Sequence, residues 1–183
     1  MSKILVDEIA PKTAGNKVLM PQGGIIQVQY TQFTGTGSVV LSANTDAVLT
    51  DLTVNITPAS ASSVIHLQAH IFGEHSLDNS SSWNHVLFFY RDSTKLAHPT
   101  AGSRAVGVSM TTRTYHEAND ASTPEIARYD YFDTPNTTSQ ITYKCGISST
   151  NAETFFINRC VDDTNNTGHE RGISFISATE IAG

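Results

Sequence analysis

The sequence predicts an all-β protein, an antiparallel jelly-roll-like sandwich with a short extended N-terminal arm. Three observations point to this class. Apolar residues alternate with polar ones along most of the chain, Ser and Thr supply much of the polarity while only 15% of residues are charged, and Gly, Asn, Asp, Ser and Pro cluster between the alternating segments. Soluble proteins average roughly 25% charged residues. A chain of 183 residues suits one main sandwich domain.

Each strand prediction rests on alternation with a period of two. In segment 24–33, Ile26, Val28 and Tyr30 alternate with glutamines, and we expect these three side chains to form a buried face. Segment 83–91 is apolar on both sides, which is typical of a central strand. The predicted strands, in chain order, are 24–33, 51–57, 63–72, 83–91, 104–113, 125–133, 140–147, 154–161 and 172–181.

Residues 1–23 differ from the rest, and we predict that they form an attachment arm ahead of a head domain at 24–183. The segment holds two short apolar clusters, neither able to bury itself alone, and ends at Pro21 and a pair of glycines. An additional strand on the same sandwich is the alternative interpretation. The predicted arm residues are Ile4, Leu5, Val6, Ile9, Val18, Leu19 and Met20.

Charge and hydropathy limit the partners and the compartment. The net charge is −6 and no cluster of Lys and Arg is visible, so nucleic acid is not an expected partner. No apolar run is long enough for membrane insertion, and acidic residues interrupt the N-terminus where a signal peptide needs an apolar run. We therefore expect synthesis in a cytoplasm. In that compartment we expect Cys145 and Cys160 to be free thiols. The alternative is a disulfide between them, because segments 140–147 and 154–161 resemble the two arms of a hairpin.

A family resemblance extends over almost the whole chain. The opening SKILVDEIAPKTAGNKVLMPQGGIIQVQY resembles the start of small virion structural and tail-fibre-like proteins of marine cyanophages and related tailed bacteriophages. Further agreement lies in NITPASASSVIHL, FFYRDSTKLA, YDYFDTPNTTSQITYKCGI, FFINR and ISFISATEIAG. The resemblance implies a virion protein, made in the cytoplasm of a bacterial host, with homotrimeric jelly-roll-like heads and an N-terminal segment that attaches to other virion proteins.

The alternation in segment 63–72 places His66, Gln68 and His70 on one polar face. We expect these three side chains to face the axis of a trimer. The two imidazoles are roughly 13 Å apart on one strand, too far to bind one metal ion from a single chain. The acidic run 162–168 also lacks the ligand spacing of a calcium loop. Neither a metal nor another cofactor is therefore expected.

Three long polar loops are candidate regions for contact with a host receptor, namely 75–84, 115–124 and 162–171. Adhesive residues tend to lie on loops carried by a rigid scaffold, and aromatic rings and amides are suited to sugars. A host surface glycan is therefore a candidate partner, with ordinary solvated loops as the alternative. The candidate contact residues are Trp83, Asn84, Tyr115, His116, Asn165 and Asn166.

No catalytic motif supports an enzyme. The chain contains no Gly-x-Ser-x-Gly elbow, no phosphate-binding glycine loop and no His-Glu-x-x-His pair. Glu125, Asp130, Asp133 and Glu153 could supply a glycosidase pair, but 17 carboxylates make chance pairs common. We predict a non-enzymatic subunit of a short trimeric fibre or spike with possible host contact. The alternatives are a purely architectural capsid-decorating or tail connector protein and, least favoured, a polysaccharide depolymerase.

Overall fold

The fold is described from a computed structural model, which covers residues 21–76, 84–113 and 122–183. Eleven strands are assigned in these ranges, and no helix there has the length and hydrophobicity needed to cross a membrane. The strands are β1 Ile25–Phe33, β2 Gly37–Leu41, β3 Thr45–Ile56, β4 Val64–His75, β5 His85–Arg91, β6 Thr94–Leu96, β7 Thr112–Arg113, β8 Glu125–Asp133, β9 Ile141–Ser149, β10 Glu153–Ile157 and β11 Ser174–Ile181.

The strands form two antiparallel sheets. The small sheet has the order β3-β9-β5-β6. The large sheet contains the other seven strands and is built around β4, which pairs with β8 along one edge. Two strands pair with the other edge of β4: β11 pairs with residues 64–70 and β10 pairs with residues 73–75. Strands β1 and β2 complete the sheet beyond β11 and β10, so the large sheet is four strands wide, with the two-residue β7 added beyond β8.

The chain order identifies the architecture as a jelly roll. Strands β1 and β2 share one position in the large sheet, and the chain then alternates between sheets: β3 small, β4 large, β5 and β6 small, β7 and β8 large, β9 small. It returns to the large sheet with β10 and β11, which share the position beside the first pair. Two four-position sheets connected in this way are the double Greek key of a jelly roll. The predicted all-β, antiparallel jelly-roll-like sandwich is confirmed.

The core lies between the sheets and follows the alternation that the sequence predicts for β4. Ile65, Leu67 and Ile71 point inward and are fully buried. Strand β5 has the two-sided burial predicted for a central strand, because Phe88 is buried on the opposite side from Leu87 and Phe89. The larger core residues also include Leu41, Leu49, Leu52, Ile56, Ile141, Tyr143, Ile147, Phe155, Ile157 and Ile176.

The first strand faces the opposite way from the prediction. Val28 and Tyr30 are exposed. In contrast, the predicted outward residue Gln27 points toward the small sheet, as does Thr31 on the same face of the strand. Gln27 donates a hydrogen bond to the carbonyl of Thr57, at 2.8 Å, and Thr31 donates one to the carbonyl of Thr53, at 2.6 Å. These bonds close the edge of the sandwich, so polar side chains take two of the inward positions of β1, and Phe33 on the same face packs against the core.

Two further strand predictions need correction. Segments 140–147 and 154–161 are not hairpin arms, because β9 lies in the small sheet and β10 in the large one. Segment 104–113 forms a strand only at 112–113. Most of it runs along β5, where Leu87 donates to the carbonyl of Ser109 and the amide of Val108 donates to the carbonyl of Leu87, both at 2.7 Å. Strand β6 pairs only with residues 89–91 of β5, so these bonds give the backbone N–H and C=O of Leu87 their partners on the same edge.

A buried carboxylate closes the end of the sandwich where the chain enters β1. Glu180 is fully buried and accepts hydrogen bonds from the Ser63 hydroxyl, the Ala59 amide and the Gln27 side chain, each at 2.6 Å. Burial by itself raises the pKa of Glu180, but these hydrogen bonds and one from the backbone of Ser60 outweigh it. The pKa therefore lies below its ordinary value of 4.5.

We expect Glu180→Gln to lower the free energy of unfolding at neutral pH by about 2 kcal/mol, because hydrogen bonds to an ionised group are lost. A depressed native pKa stabilises the fold above the unfolded pKa, and this contribution is lost as the pH falls through the native value. The difference between wild type and variant should therefore shrink below about pH 4.5. Urea unfolding across this range measures it. The exposed Glu170→Gln is the control, and a constant difference across the range would contradict the assignment.

Both cysteines are free and buried. Burial is the main cause that raises the pKa of Cys145 to about 12 and that of Cys160 to about 11. We expect both thiols to react very slowly with a maleimide dye at neutral pH, because the thiolate is the reactive form. Two dyes per chain should couple once guanidinium unfolds the protein. Rapid labelling of the native chain would show that a thiol is accessible.

Candidate functional site

The outer face of the large sheet carries several large apolar side chains among polar ones. Strand register aligns side chains from β1, β11, β4 and β8 in parallel rows across it. One row joins Val28, Thr179, His66 and Phe132, and the next joins Tyr30, Ser177, Gln68 and Asp130. We call this surface the aromatic–histidine face; its members are Val28, Tyr30, Gln32, His66, Gln68, His70, Phe72, Ile126, Arg128, Asp130, Phe132, Phe175, Ser177 and Thr179.

Large apolar side chains on this face are open to solvent. Tyr30 is 71% exposed, Phe132 is 58% exposed and Val28 is 52% exposed. Ile126 and Phe175 are also exposed. Single exposed apolar residues are ordinary, but a contiguous group marks an interaction surface on soluble proteins.

The three residues predicted to face a trimer axis lie on this face, but they do not form a purely polar strip. The His66 ring stacks on Phe132, with ring centroids 4.2 Å apart and an interplanar angle of 6°, and its Nε2 lies 3.4 Å from Asp130. The His70 ring lies 5.7 Å from that of Phe175. Gln68 is exposed between them. The histidines therefore belong to a mixed aromatic and polar surface.

The charge of His70 is set by its neighbours. Arg128 Nε donates a hydrogen bond to His70 Nδ1, at 3.2 Å. Burial is the first cause that lowers the pKa of His70, and the positive charge of Arg128 is the second. His70 is therefore neutral at pH 7, and Arg128 is the cation of this part of the face.

The predicted receptor-contact residues are only partly described. Trp83, Tyr115 and His116 lie outside the described residues, as do arm residues 1–20. Asn84 is exposed just before β5. It lies at the end of the sandwich opposite to Gly23, whose amide donates to the carbonyl of Ala182 at 2.8 Å.

Asn165 and Asn166 are exposed in a loop between β10 and β11. A bridge between Arg159 and Arg171 closes this loop at its base, and Arg171 binds Asp163 through two hydrogen bonds of 2.9 and 2.8 Å. The two asparagines are therefore carried at the tip of an internally braced loop.

A second group of residues, which sequence reasoning missed, lies between the sheets near Asn84. His75 ends β4, His85 begins β5, and Glu125 and Glu153 begin β8 and β10. All four are buried. One donor atom from each of His75, His85 and Glu125 lies within 4.8 Å of the others. Imidazole and carboxylate groups gathered in this way are a candidate metal-binding set.

Contacts inside this buried cluster are close but incomplete. His75 Nδ1 lies 3.0 Å from Glu153 Oε2, and His75 Nε2 lies 3.9 Å from Glu125 Oε2. Despite the short approach, no hydrogen bond of acceptable geometry is made by either ring nitrogen of His75 or either carboxylate oxygen of Glu153. A buried polar group left in this state costs about 1–3 kcal/mol.

The neighbouring groups hold Glu153 in its ionised form. Burial by itself raises the pKa of Glu153, but the adjacent His75, with smaller contributions from Ser149 and His85, lowers the pKa overall. Thr111 connects the other half of the cluster: its hydroxyl lies 2.5 Å from His85 Nε2 and donates to Glu125. The cluster therefore places an anionic carboxylate beside a histidine in a buried space.

This cluster could not be identified from motif spacing, because consecutive members are 10 to 40 residues apart in the sequence. The alternation of β4 was the available signal, since the inward positions from Ile65 onward continue to His75. We placed His75 in a loop instead. Of the four carboxylates considered as chance glycosidase partners, Glu125 and Glu153 meet here, whereas Asp133 binds Arg91 and Tyr143 and Asp130 is exposed.

No protein-family model matches the chain, and no curated protein matches it in sequence. Among solved structures, the chain is similar to the crystal structure of the infectious bursal disease virus VP2 subviral particle, with a TM-score of 0.34 and 13% identity. The match covers 85% of this chain and 41% of the viral chain. The jelly-roll assignment rests on the strand order described above and not on this similarity.

Proposed function

We propose that the chain is a non-enzymatic structural protein of a bacteriophage virion, a subunit of a short trimeric fibre or spike. The observation that carries the proposal is the aromatic–histidine face, on which five large apolar side chains are exposed among polar groups. The sequence resemblance to small virion proteins of tailed phages supports the same role. A jelly roll by itself serves many functions, so the argument depends on this surface.

The occupants that we propose for the face are two further copies of this chain, arranged with it around a threefold axis. The face is four strands wide and about seven residues long, or roughly 400 Å² in plan. It carries both signs of charge, because Arg128 and Asp130 lie two residues apart on β8. In a threefold ring, one part of this face contacts a different part of the face on the next copy, so groups of opposite sign can be paired across each interface.

Attachment to the particle and contact with the host are assigned to opposite ends of the head. The arm at 1–23 leads into the end where Gly23 meets Ala182. Asn84 lies at the far end, and the braced loop that carries Asn165 and Asn166 lies on the same half of the large sheet. We assign binding of other virion proteins to the arm and possible binding of a host surface glycan to these loops.

The assembly proposal predicts a mass in solution. Light scattering of the full-length chain at micromolar concentration should give three times the 19.8 kDa mass of one chain. Phe132→Lys should give monomers, because it places a charge in the contact without touching the core. The control is Val40→Lys, which changes a 77% exposed side chain on the same sheet about 30 Å away and should leave the trimer intact. A monomeric wild type would overturn the proposal.

The role of the arm predicts that the head folds without it. Deletion of residues 1–20 should leave a trimer with a melting temperature close to that of the full chain, because the buried residues identified above all follow residue 40. Circular dichroism and light scattering of the truncated chain make the measurement. A truncated chain that fails to fold would reassign the segment as a strand of the sandwich.

A further inference from the structure

The buried cluster of His75, His85, Glu125 and Glu153 connects the two sheets. His75, Glu125 and Glu153 come from the large sheet, and His85 comes from the small sheet. The rings of His75 and His85 lie 4.2 Å apart, and the outer side of His75 packs against Phe155 at 4.8 Å between ring centroids. These groups have little freedom to turn away from one another, so their convergence is a fixed property of the fold.

The donor set has the chemistry of a transition-metal site. Two imidazoles and a carboxylate are ligands of Zn²⁺, whereas Ca²⁺ and Mg²⁺ prefer oxygen ligands alone. Donors that share one zinc ion in a tetrahedron lie about 3.4 Å apart, given bonds of about 2.1 Å. His75 Nε2 and Glu125 Oε2 are 3.9 Å apart, and all three donors fall within 4.8 Å. Side-chain adjustments on the order of 1 Å are sufficient.

Glu153 occupies the position of an orienting partner for His75. Its carboxylate lies 3.0 Å from Nδ1, on the opposite side of the ring from Glu125. Histidine ligands commonly donate their second ring N–H to a carboxylate, which fixes the tautomer and strengthens the ligand. Such a pair requires the proton on Nδ1 and leaves the Nε2 lone pair directed at Glu125 and His85.

A cluster without metal accounts less well for these contacts. Buried polar groups in native proteins nearly always have a partner, but neither nitrogen of His75 and neither oxygen of Glu153 makes a well-formed hydrogen bond. An ion bound to Nε2 supplies a partner for that nitrogen and leaves Nδ1, 3.0 Å from Glu153 Oε2, to donate to this carboxylate.

We propose that His75, His85 and Glu125 bind one Zn²⁺ ion per chain and that Glu153 orients His75. Thr111 adjoins two of these ligands, because its amide donates to His85 Nε2 at 3.2 Å and its hydroxyl contacts His85 and donates to Glu125. A water molecule completes the coordination. The ion is structural, because its ligands are buried and come from both sheets. It ties the sheets together at the end of the sandwich where Asn84 lies. This proposal does not depend on the virion role.

The test uses the full-length chain, stripped of metal with a chelator and then titrated with Zn²⁺ alone by calorimetry. We expect one ion per chain and a higher melting temperature after binding. Co²⁺ in place of Zn²⁺ should give the visible absorption of a tetrahedral site without the charge-transfer band of a thiolate, since neither cysteine is a ligand. No stoichiometric binding by the wild-type chain, or a thiolate band, would overturn the proposal.

Variants separate this site from surface histidines. His75→Gln and Glu125→Gln should abolish stoichiometric binding, and Glu153→Gln should retain it with affinity reduced about 10- to 100-fold, the usual effect of losing an orienting partner. His98→Gln, which changes an exposed histidine, is the matched control and should bind as wild type does. Binding that survives in His75→Gln, or that is lost in His66→Gln, would place the ion elsewhere. The wild-type cobalt spectrum remains decisive if a ligand variant fails to fold.

Discussion

Strand β4 is the element on which the rest of the structure depends. It is twelve residues long and hydrogen-bonded along both edges, to β8 on one side and to β11 and then β10 on the other. Its alternation sends Ile65, Leu67 and Ile71 into the core and His66 and His70 outward. A shift of one residue would exchange these faces, so the pairing register on both edges fixes the core and the aromatic–histidine face together.

The two ends of the sandwich differ in how completely their buried charged groups are hydrogen-bonded. At the end near Gly23, Glu180 has a set of hydrogen-bond donors, and Asp133 accepts from Arg91 and from the Tyr143 hydroxyl at 2.6 Å. Both of these carboxylates therefore have hydrogen-bond donors or a cation from the protein as partners. At the other end, the buried Glu74 also accepts hydrogen bonds, from Thr123 and from the Val161 amide, but His75 and Glu153 approach each other without that completeness. The contrast is the reason that the second end, and not the first, is assigned a ligand.

Sequence reasoning reached the fold class because alternation is a local property, and it was correct where one face of a strand is buried and the other is not. It failed for β1, where hydrogen bonds from Gln27 and Thr31 to the opposite sheet reverse the expected burial. It failed for segment 104–113, which does not form a long strand because its backbone makes hydrogen bonds to Leu87 of β5. Partners in these cases are distant in sequence, and periodicity carries no information about them.

The candidate sites divide in the same way. His66, Gln68 and His70 could be grouped because they share one strand and one face, but the aromatic residues beside them come from β1, β8 and β11. The buried histidine and glutamate cluster draws one residue from each of four strands, so only the assembled topology brings it together. Sites within a strand are readable from the sequence, and sites between strands are readable only from the fold.

The loop between β10 and β11 occupies a break within a single position of the large sheet. Strand β10 keeps β2 as its outer partner and β11 keeps β1, so neither register depends on the length of chain between them. The Asn158 side chain seals the break by donating to the carbonyls of Phe33 and Gly35 and accepting from Ser174. The exposed residues 164–168 at the tip of this loop lie away from these contacts, so their replacement is not expected to disturb strand pairing. The fold thus provides a position where surface sequence can diversify while the scaffold stays constant.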